Sequence, residues 1–178
     1  MYPSNYATDI TSVFGRTLAA LRGAVGLSQV DLGKHLKMDR TAIARLEIGR
    51  TTLSVPFVAA AEQIFLNLQA IRRPGDFTVL GSRVTERLIA RGVVVCVDRA
   101  PPDAPTLQTR TLIQAAEAVI DEWAAELRAE GLRFGEPPEP GEEAVTEPAR
   151  LLIANERLHT TRARPIEIAQ RNARTQAA

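Results

Sequence analysis

Residues 28–49 read SQVDLGKHLKMDRTAIARLEIG, and this stretch carries the start signals of two short helices. Ser28 is followed three residues later by Asp31, which approximates a capping box, where both side chains satisfy free amides of a first helical turn. Asp39 repeats the N-cap signal, and its carboxylate is also favoured by the positive end of a helix dipole. Gly49 predicts the end of the second helix, because glycine takes the left-handed conformation at little cost.

Apolar residues predict how the two helices pack. We expect one inward-facing set from both helices and their turn: Val30, Leu32, Leu36, Met38, Ile43 and Leu46. Helices this short are unstable alone, so they need a supporting core. Apolar residues at helical spacing predict one supporting helix from Asp9 to about Arg22. A fourth helix is predicted to begin near Ser54, with Pro56 tolerated in its first turn.

The outward face of the second helix carries two arginines. Arg40 and Arg45 project from it, together with Thr41, Ala42 and Ala44. A helix with such a face can enter a DNA major groove, where arginine can donate to both acceptors of a guanine. The pattern therefore predicts that this helix reads DNA bases.

Several of these residues also have the spacing of a known family. They are Leu27, Ser28, Gln29, Leu32, Leu36, Ile43, Arg45, Leu46, Glu47 and Gly49. Over roughly residues 10–68 the chain resembles the helix-turn-helix domain of phage repressors and Cro-like regulators, the Xre family. The resemblance implies a mainly α fold with a five-helix lambda-repressor-like DNA-binding domain, and the residue patterns described below add a β-strand and a long C-terminal helix after it.

Two features of this region follow from alignment with the family. Arg22 and Glu47 are placed opposite each other, so the pair is expected to orient the recognition helix. The alternative is a surface ion pair worth only ~0–1 kcal/mol. Lys37 stands where the family usually has glycine in the turn. Because a lysine forced to positive φ costs roughly 1 kcal/mol, we expect a slightly altered turn.

After a helix predicted over 78–91, the run GVVVCVD from Gly92 to Asp98 predicts a strand. No second strand is evident in the sequence, and a lone strand leaves its backbone groups unpaired. We therefore expect this strand to pair with its copy in a second subunit, through Val93, Val95 and Val97. The alternative is a buried extended segment lying on its own domain.

The longest helical pattern runs from Thr106 to Glu130. Its apolar stripe comprises Leu112, Ala116, Val119, Trp123 and Leu127, and its opposite face carries Glu117, Asp121, Glu122 and Glu126. The stripe needs a partner, either a symmetric helix or residues 76–97, so Val119 and Trp123 are further candidates for dimerisation. Residues 1–75 have nine Lys and Arg against five Asp and Glu, whereas residues 100–148 have three against eleven. The acidic segment predicts either an interaction region or an ordinary solvated face.

The expected organisation has three parts. Residues 1–75, after a flexible start over 1–8, form the DNA-binding domain, and residues 76–134 form a dimerisation region. Residues 135–178 form a Pro- and Glu-rich linker, a short helix around 149–158 and a basic tail. No stretch has the roughly 18 uninterrupted apolar residues of a membrane span, and no signal pattern is present, which favours a cytoplasmic protein.

No pattern in the sequence indicates an enzyme, a cofactor or a metal site. The only lysines are Lys34 and Lys37, inside the DNA-binding region, which argues against the self-cleaving Ser–Lys peptidase of many phage repressors. Cys96 is the single cysteine and is expected in the core. His35 and His159 are too few and too isolated to form a zinc site with it.

The leading hypothesis is a dimeric, sequence-specific repressor of a palindromic operator in double-stranded DNA. Arg40, Thr41 and Arg45 are expected to contact bases, and Gln29 and Arg50 to contact phosphates. One alternative is an antitoxin with the same DNA-binding region, whose C-terminal region neutralises a toxin through its acidic segment. Another alternative is a protein-interaction module that no longer binds DNA.

Overall fold

The computed structural model describes residues 6–100, 103–105 and 107–137 of the 178. In chain order its elements are β1 Ala7–Asp9, α1 Ile10–Ala24, α2 Gln29–Leu36, α3 Arg40–Glu47, α4 Val55–Asn67, α5 Asp76–Ala90, β2 Val94–Cys96 and α6 Thr109–Ala129. The expected class is confirmed: the chain is mainly α, with an N-terminal helix-turn-helix region, a short strand and a long C-terminal helix. The expected helix around 149–158 and the basic tail lie outside the described residues.

The starts predicted for α1 to α4 are confirmed by side-chain caps, whereas α5 and α6 have no such cap and begin at Asp76 and Thr109 rather than at the predicted 78 and 106. The Asp9 carboxylate accepts from the Ser12 amide at 2.7 Å and the Asp39 carboxylate accepts from the Ala42 amide at 2.7 Å. Ser28 and Asp31 form the complete capping box of α2. Ser54 caps α4, with its hydroxyl accepting a longer bond from the Phe57 amide at 3.4 Å. Each cap involves residues three apart, so the local sequence is enough to specify it.

The turn between α2 and α3 keeps a left-handed residue despite its lysine. Lys37 has φ 54° and ψ 42°, and its amide donates to the carbonyls of the preceding turn. The sequence predicted that lysine would alter the turn, but Lys37 adopts the glycine-like conformation. Gly33 lets α2 approach the turn closely, because an added β-carbon there would lie 2.6 Å from the Met38 carbonyl oxygen.

The interior is formed largely by the residues predicted for it, with one correction. Leu32, Ile43 and Leu46 are buried, and Leu36 and Met38 pack against the core. Val30 was expected to point inward, but it is 45% exposed. The prediction was wrong because successive helical residues are about 100° apart, so Val30 lies about 200° around α2 from the buried Leu32.

Helices α5 and α6 pack on α1, and α6 also packs on α5. All five residues of the predicted α6 stripe are buried, so the partner that the sequence left open is supplied within the chain. Val119 and Trp123, expected at a dimer interface, lie in this core, and the Trp123 indole donates to the Ala70 carbonyl at 2.9 Å. One hydrophobic core therefore continues across the expected boundary at residue 75.

A small parallel sheet replaces the lone strand that the sequence predicted. β1 pairs with β2 in the register Ala7 to Val94, Thr8 to Val95 and Asp9 to Cys96. The expectation that β2 has no partner in its own chain was wrong. The flexible start predicted over residues 1–8 is corrected at Ala7 and Thr8, which lie in β1, while residues 1–5 lie outside the described residues. The reason is that β1 has only three residues and lies 85 or more positions upstream of β2, so no local pattern connects them.

Candidate nucleic-acid interface

Helix α3 is held closely against α1 by two glycines. A β-carbon at Gly15 of α1 would overlap the Leu46 carbonyl oxygen and lie 2.9 Å from the Glu47 carbonyl oxygen. Gly49, which follows α3, has φ +74°, and an added β-carbon there would lie 2.6 Å from the Ser12 Cα atom of α1. The end of α3 can lie this near to α1 because neither glycine has a side chain at the contact.

A buried ion pair connects the same two helices. The Arg22 Nε and Nη2 atoms donate to the two carboxylate oxygens of Glu47, at 2.5 and 3.2 Å. Arg22 Nη1 also donates to the Leu27 carbonyl at 2.6 Å, in the loop before α2. The Glu47 side chain is only 4% exposed. The pair expected from the family alignment is therefore present, and it joins α1, the loop before α2 and the end of α3.

Gln29 extends this pair to the start of α3. Its Nε2 donates to Glu47 Oε2 at 2.7 Å, while its Oε1 accepts from Arg40 Nε at 3.4 Å. A carboxylate can only accept, so the amide nitrogen has to face Glu47 and the amide oxygen has to face Arg40. The bonds therefore form a chain from the buried Arg22–Glu47 pair to an exposed arginine.

The side chains predicted to contact bases all lie on the outside of α3. Arg40, Thr41 and Arg45 are exposed, and Ala44 between them is partly exposed. Thr41 and Arg45 are one turn apart on the same face, and Arg40 and Arg45 are separated by about 7.5 Å along the axis. We call Gln29, Arg40, Thr41, Arg45 and Arg50 the reading surface.

Arg50 lies at the far end of this surface. Its backbone amide donates to the Arg45 carbonyl at 2.9 Å, which closes the last turn of α3. Its side chain is exposed. This places one cation beyond the helix, as expected for a phosphate contact. Gln29, the other expected phosphate contact, has both ends of its amide bonded within the protein.

The link through Gln29 was not found from the sequence. Glu47 is eighteen positions away from Gln29 and Arg40 is eleven positions away, so no helical spacing relates them. The expected Arg22–Glu47 pair itself indicated that Glu47 needs a further hydrogen-bond donor. A buried carboxylate has two acceptor oxygens, and a single arginine at the edge of the core leaves acceptor capacity for another donor.

The capping box places one negative charge at the start of α2. The hydroxyl and amide of Ser28 donate to the Asp31 carboxylate and hold the pKa of this group below its ordinary value. Asp31 therefore stays charged in the first turn, where the helix dipole favours it. Over the described residues, no group of three or more His, Cys, Asp or Glu could hold a metal ion. In the same part of the chain, no helix is long and apolar enough to cross a bilayer.

Comparison with known proteins agrees with this geometry. Residues 13–65 match a family model described as a helix-turn-helix domain. The match supports a helix-turn-helix regulator that binds DNA. Domains of this type are typical of regulators without enzymatic activity. The matched segment ends in α4, so α5, β2 and α6 lie beyond it. No curated protein and no solved structure matches the chain.

Proposed function

We propose that the protein is a sequence-specific transcriptional regulator of the Xre type, which binds a palindromic operator as a dimer and represses transcription. The observation that carries this proposal is the bonded chain from the buried Arg22–Glu47 pair through Gln29 to Arg40. A base-reading arginine gains specificity when its position is set before DNA binds, because less side-chain freedom is lost on binding.

The reading surface supplies both kinds of contact that such a regulator needs. Arg40 and Arg45 are each able to donate to a guanine O6 and N7, and Thr41 offers a hydroxyl and a methyl group between them. Arg50 meets phosphate. The charge of residues 1–75, nine Lys and Arg against five Asp and Glu, favours approach to the DNA backbone.

Three carboxylates of the acidic segment are already used within the chain, which weakens the antitoxin alternative for that part of the segment. Three exposed pairs, which we call the outer row, use its carboxylates within the chain: Arg72–Glu130 at 2.6 Å, Arg83–Glu126 at 2.8 Å and Arg87–Glu122 at 2.6 Å. These glutamates hold α6 against α5 and the loop before it, so they do not form an unpartnered acidic face. The alternative without DNA binding is disfavoured by the exposed arginines at both ends of the reading surface.

Selection of bound sequences from random DNA with the purified protein tests the proposal. Arg40→Ala and Arg45→Ala are each expected to relax the base preference at one position per half-site, which we expect to be a guanine. Each variant should lose about 1–3 kcal/mol of discrimination between guanine and the other bases at that position. Arg50→Ala is expected to weaken all sequences alike and to lower the salt slope by about one unit. Binding to the selected operator and its single-base variants, across salt concentrations, gives these quantities.

A matched control is Arg110→Ala, which removes the same charge from an exposed position on α6. It is expected to leave base preference unchanged. Selection that enriches no sequence would contradict the proposal. Full discrimination by both Arg40→Ala and Arg45→Ala, with discrimination lost in Arg50→Ala, would show that α3 is not the reading helix.

A further inference from the structure

Ile48 is an exposed apolar residue at the end of α3. Its amide donates to the Ala44 carbonyl at 3.1 Å, so it continues the last turn of the helix. Its side chain is 39% exposed. Leu36, Met38 and Leu53 of the same region are only partly buried as well, but they pack against the core. The core contacts that explain those three residues do not explain Ile48.

The exposure of Ile48 matters because of where it lies on the helix, since single exposed apolar residues are common. Successive helical residues are about 100° apart around the axis. Counted from Arg40, Ile48 lies at about 80° and Arg45 at about 140°. Ala44 and Thr41 lie at about 40° and 100°, on either side of Ile48. The middle of the outward face is therefore apolar, with one arginine at each side.

The side chain of Ile48 points back toward the part of α3 that is expected to read bases. Ile48 lies about 4.5 Å beyond Arg45 along the axis. Helical side chains lean toward the N-terminus and cover the preceding turn. This lean brings the methyl groups of Ile48 over the turn that holds Ala44 and Arg45.

The surroundings of Ile48 fit a partner that presents both hydrogen-bond acceptors and an apolar group. The nearby acidic residues do not lie on this face, since Asp39 caps the helix start and Glu47 is buried. The DNA major groove offers that combination where thymine neighbours guanine. Guanine presents O6 and N7 as acceptors, and thymine presents its C5-methyl group.

We propose that Ile48 contacts the C5-methyl group of one thymine in each half-site, next to the guanine that Arg45 binds. The contact removes apolar area of both partners from water. The inference rests on the proposed function and deepens it, because it adds a thymine to the guanines expected in the operator and assigns that thymine to a residue outside the reading surface.

Operators with uracil in place of thymine test this contact. Uracil pairs with adenine as thymine does and lacks only the C5-methyl group. Each thymine of the selected operator is replaced singly, and binding of the full chain is measured. At one position in each half-site, the wild type is expected to lose about fourfold in affinity, the effect of one methyl group that is no longer buried.

The Ile48 variants assign that loss to this side chain. Ile48→Ala is expected to bind the thymine and uracil operators equally at that position, whereas Ile48→Val should keep part of the preference. Ile89→Ala is the matched control, because Ile89 is 56% exposed on α5, which packs on α1 and α6. It should respond to uracil as the wild type does. Both isoleucines are exposed, so the variants should fold.

The outcomes separate this inference from the proposed function. An Ile48→Ala protein that responds to every uracil as the wild type does would overturn the inference, as would a selected half-site with no thymine beside the guanine read by Arg45. A wild type that is insensitive to uracil would leave this face to another partner, such as an acidic peptide. In these cases guanine preference still supports the proposed function, whereas selection that enriches no sequence would remove both proposals.

Discussion

Arginine–glutamate pairs occur in two regions of the molecule, with similar chemistry and different surroundings. Beneath α3, the Glu47 carboxylate is 4% exposed and bonds Arg22 and Gln29. In the outer row, the Glu122 side chain is 59% exposed and its carboxylate bonds Arg87. Both contacts are short, so distance does not distinguish them. Burial does, because a charge that loses its partner in the interior cannot be solvated.

The outer row has a second function in packing. The guanidinium groups of Arg72 and Arg83 lie 4.4 and 5.0 Å from the Trp123 ring centroid, over an indole that is otherwise buried. The Arg72 hydrogen bonds hold the pKa of Glu130 below its ordinary value. The stabilisation from this carboxylate is therefore present at neutral pH and is lost as the pH falls through the lowered pKa of the folded state.

The largest expected effect is a direct test of this comparison. Glu47→Gln keeps the shape of the side chain but leaves the Arg22 charge without a carboxylate, so we expect a loss of about 3–5 kcal/mol in the free energy of unfolding. Glu122→Gln makes the same change in the outer row and should cost ~0–1 kcal/mol. Urea titrations of both variants give the two values. Equal losses would show that burial is not what separates the two regions.

A smaller effect is expected from the helix contact that lies next to the buried pair. Gly15→Ala forces a methyl group onto the backbone carbonyls of Leu46 and Glu47, and overpacking of this kind typically costs about 1–3 kcal/mol. Gly23→Ala changes the same helix where nothing lies within 4 Å, so it should be neutral or stabilise by up to about 1 kcal/mol.

Thermal unfolding of these two alanine variants gives their stabilities. The difference between them tests whether the close contact of the α1 and α3 backbones holds α3 in place together with the Arg22–Glu47 pair. Operator affinity should fall with Gly15→Ala and stay unchanged with Gly23→Ala. A Gly15→Ala protein with wild-type stability and affinity would mean that α1 and α3 can separate without consequence.

The smallest expected effect comes from the turn before α3. Lys37 holds φ 54°, so Lys37→Gly should relieve strain and raise stability by about 1 kcal/mol or less. Lys34→Gly removes the same charge from inside α2 and should lower stability by roughly 0.5–1 kcal/mol. Opposite signs in the two glycine variants, read from urea midpoints, are the expected outcome. Destabilisation by both would show that Lys37 has contacts that outweigh its backbone conformation.

The exposed positions on α3 were predictable from the sequence. Arg40, Thr41 and Arg45 were assigned because Asp39 marks the start of α3 and Ile43 and Leu46 mark its inner side. A helix start and an apolar side together specify which residues remain outside. Val30 shows where such reasoning fails. It was assigned to the inner side because it is apolar, although its position around the axis of α2 lies about 200° from that of Leu32.

The sequence by itself determined the starts of α1 to α4, the helical class and the exposed arginines of α3, because caps and helical faces depend on residues one to four positions apart. Only the tertiary structure decided that β2 pairs with β1, that α6 packs on α1 and α5, and that Gln29 joins Glu47 to Arg40. The Gln29–Arg40 and Gln29–Glu47 bonds join residues 11 and 18 positions apart, and the Trp123–Ala70 bond of α6 joins residues 53 positions apart. No repeating local spacing records such a contact, because it depends on how whole helices pack.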